Sequence, residues 1–355
     1  MTNKDMTRLI SAFVLGLSFI PGLALVAQSA SNWVDPSPHA QRFVAVAPGV
    51  KLEVLDWGGT GQTLVLLPFI GNTAHVYDDW APRLARDFHV VAVTPRGSGA
   101  SDRSPNGYSV AQVATDVDSV LSALGLQDVV LMGNGIVGGN EMSWLAAHHA
   151  PRVGGIVYLD AAYTRSFGDS RMSKRIPQVP MAATDMASVT ALAAWMQSTS
   201  GAATPEAEIR QLAIVNDSGR ITGWRFTPGA QEQVVSSMER AEYSRFHVPV
   251  LAIYARRAKA ENAQPACKRE QPDSVRAACA ELAAWLVKHM QEGEAELRQS
   301  RAGVEIVELS EASPFIYESN EADVTAAIRK FVSRLKRPTH AHAVSRSSLS
   351  MRRWE

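Results

Sequence analysis

The chain has 355 residues, 46% hydrophobic and 20% charged, with 35 basic side chains balancing 35 acidic ones. Such a composition belongs to a globular protein with a sizeable core, long enough for one large domain or two small ones. Zero net charge counts against nucleic acid as a partner, because phosphate binding needs clustered Lys and Arg.

Residues 1–30 read as an address rather than as fold. Lys4 and Arg8 precede an apolar run over residues 9–26, broken by Gly16, Pro21 and Gly22, and small residues follow from Ala27 to Ser31. Basic, then apolar, then small is the order of a cleavable secretory signal peptide. The alternative is an N-terminal membrane anchor, which needs about 20 apolar residues; the Pro and Gly breaks favour cleavage. No Cys lies nearby to carry a lipid. The expectation is a periplasmic or secreted protein with no stable membrane span after cleavage. An oxidising compartment would permit a disulfide between Cys267 and Cys279, the alternative being two free thiols.

The next elements alternate. Residues 43–46 and 51–57 alternate as half-buried strands around the Pro48-Gly49 turn. Residues 63–67 and 89–93 are continuous apolar runs, as in strands buried on both faces. An amphipathic helix follows, carrying Val110, Val113, Val117, Val120, Leu121 and Leu124. The apolar run 129–132 then enters Gly133-Asn134-Gly135-Ile136-Val137-Gly138 and a helical pattern to His149, before a further strand over residues 155–160. This rhythm predicts an α/β fold with a mostly parallel central sheet flanked by helices.

Residues 164–245 break the pattern and predict a helical cap insertion over the carboxyl edge of the sheet, containing Trp195 and Trp224. The sheet resumes at residues 248–254, followed by a charged helix over 279–300 and a strand over 304–309. A last helix over 321–335 keeps Val324, Ile328, Phe331 and Val332 on one face. The main domain is therefore expected over residues 31–335. The basic, Ser-rich tail 336–355 is expected to be disordered, with His340 and His342 solvated rather than metal-bound.

In its order of elements the chain resembles the α/β-hydrolase fold. Residues 66–75 (Leu-Leu-Pro-Phe-Ile-Gly-Asn-Thr-Ala-His) look like that family's oxyanion loop, and Arg96-Gly97-Ser98-Gly99-Ala100-Ser101 resembles its R-G-x-G-x-S turn. Gly133 to Gly138 aligns with the nucleophile elbow, and Val157 to Ala161 with the sixth strand and its acid. The resemblance implies a Ser nucleophile, an acid and a His, in that order. Here the Ser position reads Gly135 and the His position Pro314. No His occurs between 290 and 339, and no G-x-S-x-G word occurs anywhere. The acid is matched by Asp160, with a buried turn-capping Asp as the alternative.

The resemblance leaves a backbone oxyanion site at Ile136 with Phe69 or Ile70, and His75 as a pocket residue or as a helix-start His hydrogen-bonded to a nearby loop. Asp78-Asp79 reads as a solvated first helical turn rather than a metal site. Glu141 reads as helix packing and solvation. No metal and no cofactor are expected. Three functions stay open. One is an exported protein without serine-hydrolase catalysis that binds a small apolar or carbonyl-containing ligand under its cap. Another is an active hydrolase or lyase on an ester-type substrate, acting through Asp160, His75 or an activated water. The last is an envelope interaction protein using its cap or tail. Oligomeric state has no signal in the sequence.

Overall fold

The computed structural model describes residues 33–148, 150–163 and 175–335. Residues 1–32, where a signal peptide is expected, the tail with His340 and His342, His149 and residues 164–174 lie outside them.

Eight strands form one sheet in the order β1–β2–β4–β3–β5–β6–β9–β10. They are β1 (Ala40–Ala47), β2 (Val50–Gly58), β3 (Thr63–Leu67), β4 (His89–Val93), β5 (Val129–Asn134), β6 (Val153–Leu159), β9 (Val250–Arg256) and β10 (Glu305–Ser310). β1 pairs antiparallel with β2, and β2 antiparallel with β4. Every later pairing is parallel. The interior strands are apolar at successive positions because both faces are covered. Val65, Leu67, Val129 and Leu131 pack with helix α1 (Val110–Ala123) and helix α2 (Gly135–His148). Their neighbours Leu64, Leu66, Val130 and Met132 point to the other face, against Trp80, Ile328 and Phe331. Alternate side chains thus build two cores from one run of sequence.

The cap is more than helical. Its described part carries α3 (Val189–Ser200), α4 (Glu206–Leu212) and α5 (Ala230–Ser236). Between them lies a hairpin of β7 (Ala213–Val215) and β8 (Ile221–Trp224). The Asn216 side chain accepts from the Ser218 and Arg220 backbone N–H groups, and Gly219 turns the chain at φ 80°. That Asx-type turn selects a hairpin where composition suggested helix. The charged helix, α6 (Asp273–Ser300), starts six residues earlier than expected, directly after Pro272. It buries Cys279, Ala283, Met290 and Leu297. The final helix, α7 (Glu321–Arg334), buries Val324, Ile328 and Phe331 as its spacing predicts. Among the described residues no helix is long and apolar enough to cross a membrane.

Candidate functional site

β5 runs into α2 through a turn of the expected kind. Gly133 is needed for close approach, since a Cβ there would stand 2.6 Å from the Gly138 carbonyl oxygen. Gly135 sits at φ 65°, the left-handed region that Gly enters without strain. The space above it is occupied. A Cβ built on Gly135 would fall closer than 3.0 Å to two ring carbons of Phe69. The half-buried Phe69 ring, from the loop after β3, therefore takes the place a nucleophile's side chain would need. It packs in turn on Phe315, with ring centroids 5.6 Å apart.

The position expected for the base is equally built over. Asn134, the last residue of β5, is fully buried. Its side-chain amide donates to the Leu159 carbonyl at 2.9 Å and to the Pro314 carbonyl at 3.1 Å. That amide ties the β10–α7 loop to the elbow strand, and Pro314 offers the site no proton carrier. Asp160 lies just beyond β6 at φ 50°. It accepts from the Ala255 N–H at 3.0 Å and from the Tyr163 hydroxyl. Arg257, just beyond the end of β9, places its guanidinium 3.6 Å away. Burial raises the Asp160 pKa against the opposing pull of Arg257. These partners cap and brace the joint between β6 and β9, and none of the three is an imidazole.

Phe69 packs with the cluster that contains Phe315, whereas Ile70 and Ile136 belong to a separate one. Ile70 and Ile136 pack against Val137, Val235 and Met238, which joins the oxyanion loop to the cap. Beside them a shallow recess, open to solvent, is lined by Ile136, Asn140, Ala161, Tyr163 and Met238. Backbone N–H groups in the first turn of α2 have no partner within the helix, as at any helix start.

His75 is not in that recess. It belongs to a 3-10 turn, Ala74–Tyr77, capped by the Thr73 hydroxyl. Its Nδ1 stands 2.8 Å from Asp78 and 3.1 Å from Asp35, and its Nε2 is 3.4 Å from Glu53 on β2. Burial works against the charged imidazole, but the three carboxylates prevail and raise its pKa to about 12. Of the two readings of His75, this geometry fits the helix-start His bonded to neighbouring segments, with Asp35, Glu53 and Asp78 around the ring. The solvated reading of Asp78 is corrected. Asp78 is buried because its carboxylate faces His75, whereas Asp79 is exposed.

Two acids were not singled out correctly by sequence. Glu208 reaches from cap helix α4 into the loop after β3, fully buried. It accepts from the Thr73 N–H at 2.9 Å, the Asn72 amide at 2.8 Å and the Thr73 hydroxyl. Burial lifts its pKa to about 7. Glu141, read as partly solvated, is buried on α2, and desolvation with the nearby Asp116 raises its pKa to about 8. Cys267 and Cys279 form a disulfide that closes the loop before α6 onto its second turn.

A family model for the alpha/beta hydrolase fold matches residues 62–256. Over 123 residues the chain is 32% identical to a non-heme haloperoxidase of Rhodococcus erythropolis, covering 34% of this chain and 43% of that protein. It is 31% identical over 115 residues to an N-formylmaleamate deformylase of Pseudomonas putida, covering 32% of this chain and 42% of that protein. The chain thus spans under half the length of these curated relatives. Crystallised E-2-(acetamidomethylene)succinate hydrolase superposes with a TM-score of 0.60 at 17% identity, covering 83% of this chain and 99% of that one. An α/β hydrolase of Novosphingobium aromaticivorans gives 0.56 at 20% identity, covering 84% and 100%. Both are likenesses of fold.

Proposed function

Because this chain belongs to the α/β-hydrolase fold family, we propose that it is a member without serine-hydrolase catalysis that has kept the frame of the site as a place for a small ligand. The observation that carries this reading is the Phe69 ring lying over Gly135, where a nucleophile would stand. Substitution of Ser by Gly alone could be a recent loss. A bulky ring settled into the vacated space, with Pro314 held by Asn134 at the base position, is a repacked site.

The ligand is small and apolar or carbonyl-containing. Phe69, Ile70 and Ile136 supply apolar contact, and the first-turn N–H groups of α2 would receive a carbonyl or carboxylate oxygen. Admitting it requires the half-buried Phe69 ring to swing from Gly135. Export is part of the same proposal. The leader-like residues 1–30 and the Cys267–Cys279 disulfide both suit an oxidising compartment.

The test is ester hydrolysis across a range of acyl lengths, by the natural protein and by a Phe69→Ala, Gly135→Ser, Pro314→His variant. Phe69 is removed as well because a serine side chain on the elbow would otherwise have to displace its ring. The expected result is a buffer-level rate for the natural protein and measurable turnover by the variant. Enzyme-like turnover by the natural protein would overturn the proposal and favour a hydrolase or lyase with a non-standard mechanism.

A further inference from the structure

We propose that Asp35, His39, His75 and Asp78 form a binding site for a borderline divalent cation of the zinc class. The four residues come from two separate segments. Asp35 and His39 lie in the stretch leading into β1, and His75 and Asp78 in the turn after β3. One ligand atom from each falls within 4.8 Å of all the others.

The spacing suits a metal. His75 Nδ1 is 2.8 Å from Asp78 Oδ2 and 3.1 Å from Asp35 Oδ2, while His39 Nε2 is 3.2 Å from the same Asp35 oxygen and 3.4 Å from the other Asp78 oxygen, Oδ1. Ligands bound at about 2.0–2.1 Å to a tetrahedral ion stand roughly 3.3 Å from one another along each edge. Two imidazole nitrogens and two carboxylate oxygens are also the donor mixture that borderline divalent ions take.

A second observation points to a missing partner. The Asp78 side chain is only 4% exposed, yet its Oδ1 has no hydrogen bond. That oxygen faces His39 Nε2 from 3.4 Å, too far for a good bond. Buried carboxylate oxygens are normally satisfied. A cation between the two imidazoles and the two carboxylates would satisfy it.

The surroundings are arranged as they are around bound metals. His75 turns Nδ1 toward the cluster and Nε2 toward Glu53. Glu53 is itself fixed by the Thr94 hydroxyl at 2.7 Å. A carboxylate behind a ligating His orients the ring and raises its basicity. Asp35 is steadied by the Ser37 N–H at 2.9 Å, and His39 packs edge-on against Trp57 and His75. With four protein ligands the site is closed, so the role is structural. The ion would pin the segment ahead of β1 to the turn that carries the oxyanion loop.

The experiment uses tagless protein, dialysed and assayed for metal by elemental mass spectrometry. Melting is then followed with chelator and with micromolar free zinc. About one zinc per chain is expected, with a melting temperature several degrees higher in zinc than in chelator. Cobalt in its place should give the visible absorption of a four-coordinate ion. Asp35→Asn and His39→Gln should each weaken zinc binding at least tenfold and cancel the shift. Both change the segment ahead of β1 rather than the core, so if one fails to fold the other still decides. Less than a tenth of an equivalent of zinc with unchanged melting would overturn the proposal. So would zinc binding that both variants leave intact. Neither readout depends on ester turnover.

Discussion

Replacing Gly135 by Ser is expected to destabilise the protein through two separable effects. The first is backbone conformation: at φ 65° a residue with a Cβ pays roughly 1–2 kcal/mol. The second is displacement of Phe69, whose ring carbons lie inside the new side chain's space. Moving the ring breaks its contact with Phe315 at 5.6 Å, an aromatic pair worth about 0.5–1.5 kcal/mol. It also exposes part of a side chain whose full burial is worth about 1.5–3 kcal/mol. Gly135→Ser should therefore cost about 3 kcal/mol in the natural protein and about 1–2 kcal/mol in a Phe69→Ala background. The coupling of about 1–2 kcal/mol is what a double-mutant cycle measures for residues in contact. Urea unfolding of the four proteins, followed by tryptophan fluorescence, supplies it. Equal costs in both backgrounds would refute the steric account and leave only backbone strain at Gly135.

Further outcomes follow from the buried charges and the disulfide. Glu141, with its pKa raised from 4.5 to about 8, binds its proton more tightly folded than unfolded. Its ionisation should make the protein lose stability as pH rises through that window, by an order of 2–5 kcal/mol at about 1.4 kcal/mol per pH unit. Glu141→Gln should reduce the slope of the stability profile between pH 4.5 and 8, leaving the part that Glu208 sets; an unchanged slope would show that Glu141 contributes nothing to it. Asp160→Asn keeps the neighbours of the side chain but leaves Arg257 facing no charge, and should cost about 1–3 kcal/mol in chemical denaturation. A negligible cost would contradict its bracing role. The disulfide spans a sequence separation of 12, and replacing both cysteines by Ser should cost about 2–3 kcal/mol. Melting with and without a reductant checks this, because only the natural protein should respond.

Much of the architecture was legible because it rests on local patterns. Continuous apolar runs marked β3, β4 and β5, and a 3.6-residue period marked α1 and α7. The glycine turn at 133–138 identified the elbow, since close approach and left-handed backbone both leave glycines in the sequence. Gly135 and Pro314 were equally plain at the positions where the family resemblance expects a Ser and a His. What could not be read were pairings between distant residues. Phe69 over Gly135 joins positions 66 residues apart, and nothing in a Phe after Pro68 announces which space its ring fills. Asp78 looked like a helix-start acid because nothing in the sequence brings His39, from the segment ahead of β1, to its carboxylate. Glu208 occupies an unremarkable cap helix, and its role depends on where that helix lands on residues 72 and 73. The cap hairpin could have been found, because Asn216 and Gly219 spell a turn. It was obscured by the helix-forming Ala and Met around it.

That no serine nucleophile operates at the elbow is tested most directly by intact-mass analysis after incubation with excess fluorophosphonate, a reagent that traps activated serines. The expected result is an unmodified natural protein beside stoichiometric labelling of the Phe69→Ala, Gly135→Ser, Pro314→His variant. A single adduct on the natural protein, mapped to any serine, would mean that an active nucleophile lies elsewhere and that the elbow had been misread.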